Sequence, residues 1–90
     1  MIFTIDDAMD ALGLDNDTYT KNMVSELVVA IPDYIESTTG MNKEQQAEEP
    51  LCYTVSKFLI TLWYFPEETD AYRLNQVINS LLKTISTRVE

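Results

Sequence analysis

Asp15, Asn16, Asp17 and Glu26 stand at the spacing of the two ends of a calcium-binding loop. Such a loop needs an oxygen ligand where Tyr19 stands and a glycine where Thr20 stands. Helix capping accounts for these acids better. Asn16-Asp17-Thr18 matches a glycosylation triplet, but MIFTIDDAMD has neither the basic region nor the apolar run of a secretion signal, so the match reads as chance. The acid pairs Asp6/Asp7, Glu48/Glu49 and Glu67/Glu68 fall at expected helix starts or turns. Catalytic carboxylates need environments that push their pKa values apart, and solvated caps do not supply them. Cys52 is the only cysteine, so no internal disulfide forms, and its place on a helix flank suits a packed small hydrophobe. There is no histidine, glycine-rich phosphate loop, cysteine cluster or Ser/His/Asp set. The expectation is a non-enzyme with no catalytic residue, no cofactor and no metal.

The residues that remain are those that pack. Ninety residues, 46% of them apolar, bound a single small domain over residues 1–90 with one modest core. The apolar run FLITLWYF is far shorter than a membrane span, so the chain reads as a soluble protein of a reducing compartment with no membrane partner. A net charge of −9 repels phosphate backbones and anionic lipid. It leaves room for a basic protein partner, or for a surface past which nucleic acid slides without sticking. Much of it also serves simply to keep a small protein soluble.

The two glycines and three prolines punctuate helices. Thr4-Ile5-Asp6-Asp7 reads as a cap with an acid three residues on, opening a short helix that stops at Gly13. Asp15, Asn16 and Asp17 offer caps for a second helix from about Asp17 to Thr39, ending at Gly40. On it Met23, Leu27, Tyr34, Ile31, Val24, Ile35 and Val28 share an arc of about 140°, with Asn22, Glu26, Asp33 and Glu36 opposite. Pro32 should bend or break it near residues 28–32, most simply as a curved helix wrapping the core. GMNKEQQAEE reads as a polar loop. Pro50 opens a third helix that runs through Phe65 and stops at Pro66, and PEETD makes an acidic turn. The last helix starts near Asp70 or Ala71 with a stripe of Leu74, Val77, Ile78, Leu81, Leu82 and Ile85. The fold class is all-α, a small bundle of about four helices: a short first, a long second, a buried third and a C-terminal one.

The third helix has two apolar sides. Leu51, Val55, Phe58, Leu62 and Phe65, with Leu59 nearby, make one. Tyr53, Ile60 and Tyr64 gather roughly opposite, and Trp63 lies between. A helix apolar all round is either central to its own domain or shared with a neighbour. Tyr and Trp suit a subunit interface because they bury large area and keep a polar atom for a hydrogen bond. Tyr53, Ile60, Trp63 and Tyr64 are therefore the candidate interface residues, meeting part of a neighbour's second helix or loop.

The order of these segments resembles the head–tail connector (head-completion, or adaptor) family of tailed bacteriophages. The likeness covers most of the chain: a first helix ending in LGLDNDT, a second closing in IPDYIESTTG, a proline-opened EEPLCYTVSKFLITLWYF, and a final LNQVINSLLKTIST. YIESTTG and LITLWY at their separation are its most specific part. Phe65-Pro66-Glu67-Glu68 departs from the polar run that follows "WY" in many relatives, the third helix is not alanine-rich, and the tail is short. The resemblance implies a viral structural protein at the head–tail junction of the virion, made in the bacterial host cytoplasm. It implies a homo-oligomeric ring, dodecameric in the virion, that binds the portal protein on one side and a tail or stopper protein on the other. DNA would pass through its lumen without specific binding, eased by an acidic wall. A ring needs a heterologous contact whose rotation closes, so two different patches must meet.

Two other classes compete. An acidic helical inhibitor, such as a DNA mimic, would bind a basic protein one-to-one and lose it in high salt. A metal-dependent hydrolase would need inward-facing carboxylates, which the cap positions of the acids disfavour.

Overall fold

The computed structural model describes residues 2–15, 17–67 and 70–89. Five helices account for most of them: α1 (Ile5–Leu12), α2 (Thr18–Thr39), α3 (Lys43–Glu48), α4 (Pro50–Tyr64) and α5 (Ala71–Ser86). No strand occurs among the described residues. The caps explain the boundaries. Thr4 and Asp7 form a reciprocal capping box, with each backbone N–H donating to the other's side chain at 3.0 and 3.1 Å. Gly13 ends α1 and Gly40 ends α2, both left-handed at φ 66° and 82°, where any other residue is strained. Asp17 caps α2 through its Oδ1, which accepts from the Thr20 N–H at 2.8 Å. Pro50 opens α4, and Asp70 caps α5 through the Arg73 N–H. The readings of Asn16 as a cap and of Glu68 and Thr69 in the acidic turn fall outside the described residues.

Two expectations need correction. The segment read as a polar loop contains α3. Asn42 and Gln45 cap each other across 2.9 Å in both directions, which nucleates a helix without any apolar stripe. The helix after Pro50 is thus the fourth, and Phe65 is its cap rather than its last turn. Helix α2 is continuous across Pro32, as the reading of that segment as an unbroken helix expects. Proline removes one backbone donor there, and the same turn is tied from outside. Gln46 of α3 donates its amide hydrogens to the Pro32 carbonyl at 3.0 Å and the Met41 carbonyl at 2.8 Å.

The core draws on every long helix: Ala8 and Met9, then Val24, Ile31 and Ile35, then Val55, Leu59 and Ile60, then Ile78, Leu82 and Ile85. Helix α4 packs against each of the other four. The radius of gyration, 12.8 Å, is close to the value of about 12 Å expected for a compact chain of this length.

Candidate functional site

The four candidate interface residues all lie on α4, so its setting decides their use. Its most buried positions are Cys52, Val55, Ser56, Leu59 and Ile60. On a helical projection these centre midway between the two apolar stripes read from the sequence. The stripes are therefore the two flanks of one wide buried face. Near its centre Cys52 and Ser56 stand beside the larger Leu59. Pro50, Thr54, Lys57 and Thr61 lie on the opposite side, and of these Pro50 and Lys57 are exposed.

This corrects the expectation for Ile60. Its side chain is 0% exposed inside its own subunit, so no neighbour reaches it. The other three are half-buried and already engaged. The Tyr53 ring meets the edge of Phe3 at 5.5 Å, and Lys57 Nζ sits 5.3 Å from its centroid. Burial first, and then the Asp7 carboxylate, push the Tyr53 phenol above its ordinary pKa. Trp63 receives Tyr34 of α2 edge-on at 5.5 Å, and Tyr64 stacks edge-on with Phe65 at 4.8 Å. The structure does not join the four into one exposed patch.

Helix α2 behaves in the opposite way. Val24, Ile31 and Ile35 are buried, but two members of its apolar arc reach solvent: Met23 is 45% exposed and Tyr34 37%. They lie within about 60° of Tyr19 and Ala30 around the helix, and Tyr19 is 75% exposed. Val29 is also exposed, further round. Glu26 and Asp33 border the strip on one side. Tyr19, Met23, Ala30 and Tyr34 thus form an acid-flanked apolar strip about 22 Å long on the outer face of α2. The sequence reading placed Met23 and Tyr34 in the core. Their position at the edge of the arc, beside Tyr19 and Ala30, was the available signal.

The electrostatics are simple. Lys21 meets Asp6 at 3.7 Å, Lys43 meets Asp33 at 3.2 Å, Arg73 meets Asp70 at 3.8 Å and Arg88 meets Glu49 at 2.6 Å. Four of the six basic side chains are committed to acids, and most carboxylates among the described residues have no basic side chain in ion-pair contact. Among the described residues no three His, Cys, Asp or Glu side chains converge as metal ligands. Asp17 and Glu26 do not enclose an ion between them. Asp17 is the cap of the helix that carries Glu26, about 13 Å further along its axis. Both Asp17 oxygens accept from Thr20, and this holds its carboxyl below the ordinary pKa. Cys52 is buried, its thiol 3.6 Å from the Met41 sulfur, and burial pushes its pKa up to about 11. It stays a protonated packing group at neutral pH. No helix among the described residues is long and apolar enough to cross a membrane. Comparison with models of known protein families, with curated proteins and with solved structures finds no match.

Proposed function

We propose that this chain is a non-enzymatic structural subunit of a phage head–tail connector. It assembles into a ring beneath the portal, dodecameric in the virion, and offers its far side to a tail or stopper protein. The observation that carries this reading is the run of segments resembling that family, with IPDYIESTTG closing α2, LITLWYF closing α4 and LNQVINSLLKTIST forming most of α5. The charge of −9 supports it, because an acidic lumen repels phosphates and lets a duplex slide. The contact face is moved from α4 to α2: the strip of Tyr19, Met23 and Tyr34 meets a different patch on the next subunit, as a closed ring requires. Negative-stain electron microscopy of concentrated protein tests this. Closed rings with a central hole support it, and a one-to-one complex with a basic protein opposes it.

A second reading has its own support. Uncompensated carboxylates on a small monomer whose aromatic helix is occupied internally also suit an acidic inhibitor or DNA mimic. That protein would titrate a basic nuclease or regulator one-to-one, and raising the salt from 0.05 to about 0.5 M would release it.

A further inference from the structure

A cavity of about 230 Å³ lies between the first described residues, α2, α3 and α4. Its apolar wall comes from Phe3, Val28, Ile31, Cys52 and Tyr53. It opens to solvent on one side, as a pocket and not a sealed void. An apolar cavity of about 150 Å³ is already large enough to bind benzene. The polar groups in the wall are nearly all spent. Ser56 Oγ donates to the Cys52 carbonyl at 2.7 Å, and Lys43 pairs with Asp33. Gln46 is 7% exposed and uses its amide nitrogen on the Pro32 and Met41 carbonyls. Its carbonyl oxygen accepts no hydrogen bond from any described residue. No buried side-chain oxygen among the described residues lacks a partner, so this carbonyl keeps contact with solvent and is open to a ligand.

We infer that this cavity binds a small neutral ring compound, of benzene to indole size, that carries one hydrogen-bond donor for the Gln46 carbonyl. Charge selects against other classes. The wall holds no carboxylate to receive a cation. An anion meets a chain of net charge −9 whose one lysine in the wall is already paired. The volume suits a ligand smaller than drug size, since drug-sized ligands fill pockets of roughly 300 Å³ or more. The site is independent of the α2 outer strip and of the ring.

The test is a titration of the isotope-labelled full chain with indole, followed by amide and methyl chemical shifts. Saturable shifts centred on Val28, Ile31, Ala47 and Cys52, with a Kd of about 1 mM or tighter, are expected. Indene has the same shape without the N–H, and should bind about tenfold more weakly. Ala47→Leu, which fills the cavity from α3, should abolish the shifts. Equal binding of indole and indene overturns the role of Gln46, and the absence of saturable shifts at the solubility limit overturns the site. Shifts of the same residues on dilution without indole would mean that a second copy's side chain fills the cavity, and would overturn the proposal too. The indole and indene comparison uses unaltered protein, so it stands even if Ala47→Leu does not fold.

Discussion

Helices α2 and α4 each carry many apolar residues, and they use them in opposite ways. Helix α4 carries adjacent Trp63, Tyr64 and Phe65 and looks like a surface meant for a partner. Yet it packs against all four other helices, and Ile60 at its flank is fully buried. Helix α2 looks like an ordinary amphipathic helix. Yet Tyr19, Met23 and Tyr34 stand on its outer side. Both helices pack against all four others, so the number of neighbours does not separate them; α4 buries five of its 15 residues and α2 only four of its 22. The shorter helix absorbs apolar residues on both flanks of a wide buried face, while the longer one shows whatever overruns its narrower buried side.

Substitutions that separate the two helices sharpen this contrast. The largest effect falls on α4. Ile60→Asp places an unpaired charge in the core and should cost more than about 4 kcal/mol, enough to unfold a domain of this size. Loss of the helical circular dichroism signal at 25 °C checks it, and a folded, merely less associated variant would restore Ile60 to an interface. Gln46→Leu tests the tie that holds the Pro32 turn of α2. It removes two hydrogen bonds from backbone carbonyls and should cost about 2 kcal/mol in urea unfolding. A smaller effect belongs to the Arg88–Glu49 pair, which joins the end of the chain to the start of α4. Arg88→Ala should cost about 1 kcal/mol at pH 7. The Arg88 hydrogen bond first, and then the Leu51 N–H, hold the Glu49 carboxyl below its ordinary value of 4.5. A lowered folded-state pKa contributes stability that is full above the unfolded value and is lost as the pH falls through the folded one. The wild-type and Arg88→Ala unfolding curves should therefore differ at pH 7 and draw together as the pH falls below the ordinary glutamate value of 4.5. The smallest effect is on the outer strip, where Met23→Asp should shift stability by no more than about 0.5 kcal/mol.

The helix boundaries were legible because each rests on a local signal. Thr4 with Asp7, Gly13, Asp17, Gly40, Pro50 and Asp70 act within one turn, and each sits where the sequence places it. Helix α3 was missed although Asn42 and Gln45 carry a capping-box pattern. Six residues without an apolar stripe look like a loop, and its packing depends on a long-range bond from Gln46 to Pro32. The buried face of α4 was misjudged because large residues were weighted over small ones. Cys52 and Ser56 are buried between the two apolar stripes, and nothing local announces that. The outer strip was hidden for a related reason. An arc of about 140° does not say which edge is covered, and that depends on where α4 and α5 lie. The resemblance to a connector family concerns segment order, which is legible, and leaves the contact face to tertiary structure, which is not.

The most direct test of the central claim, that partners meet α2 and not α4, is sedimentation velocity of concentrated wild type, Met23→Asp and Tyr64→Asp, with circular dichroism on each sample. The account predicts that the wild type self-associates, that Met23→Asp sediments as a folded monomer, and that Tyr64→Asp loses helix and about 2 kcal/mol of stability because it disrupts packing within the subunit. A fully helical, monomeric Tyr64→Asp beside an associating Met23→Asp would contradict it and return the interface to α4.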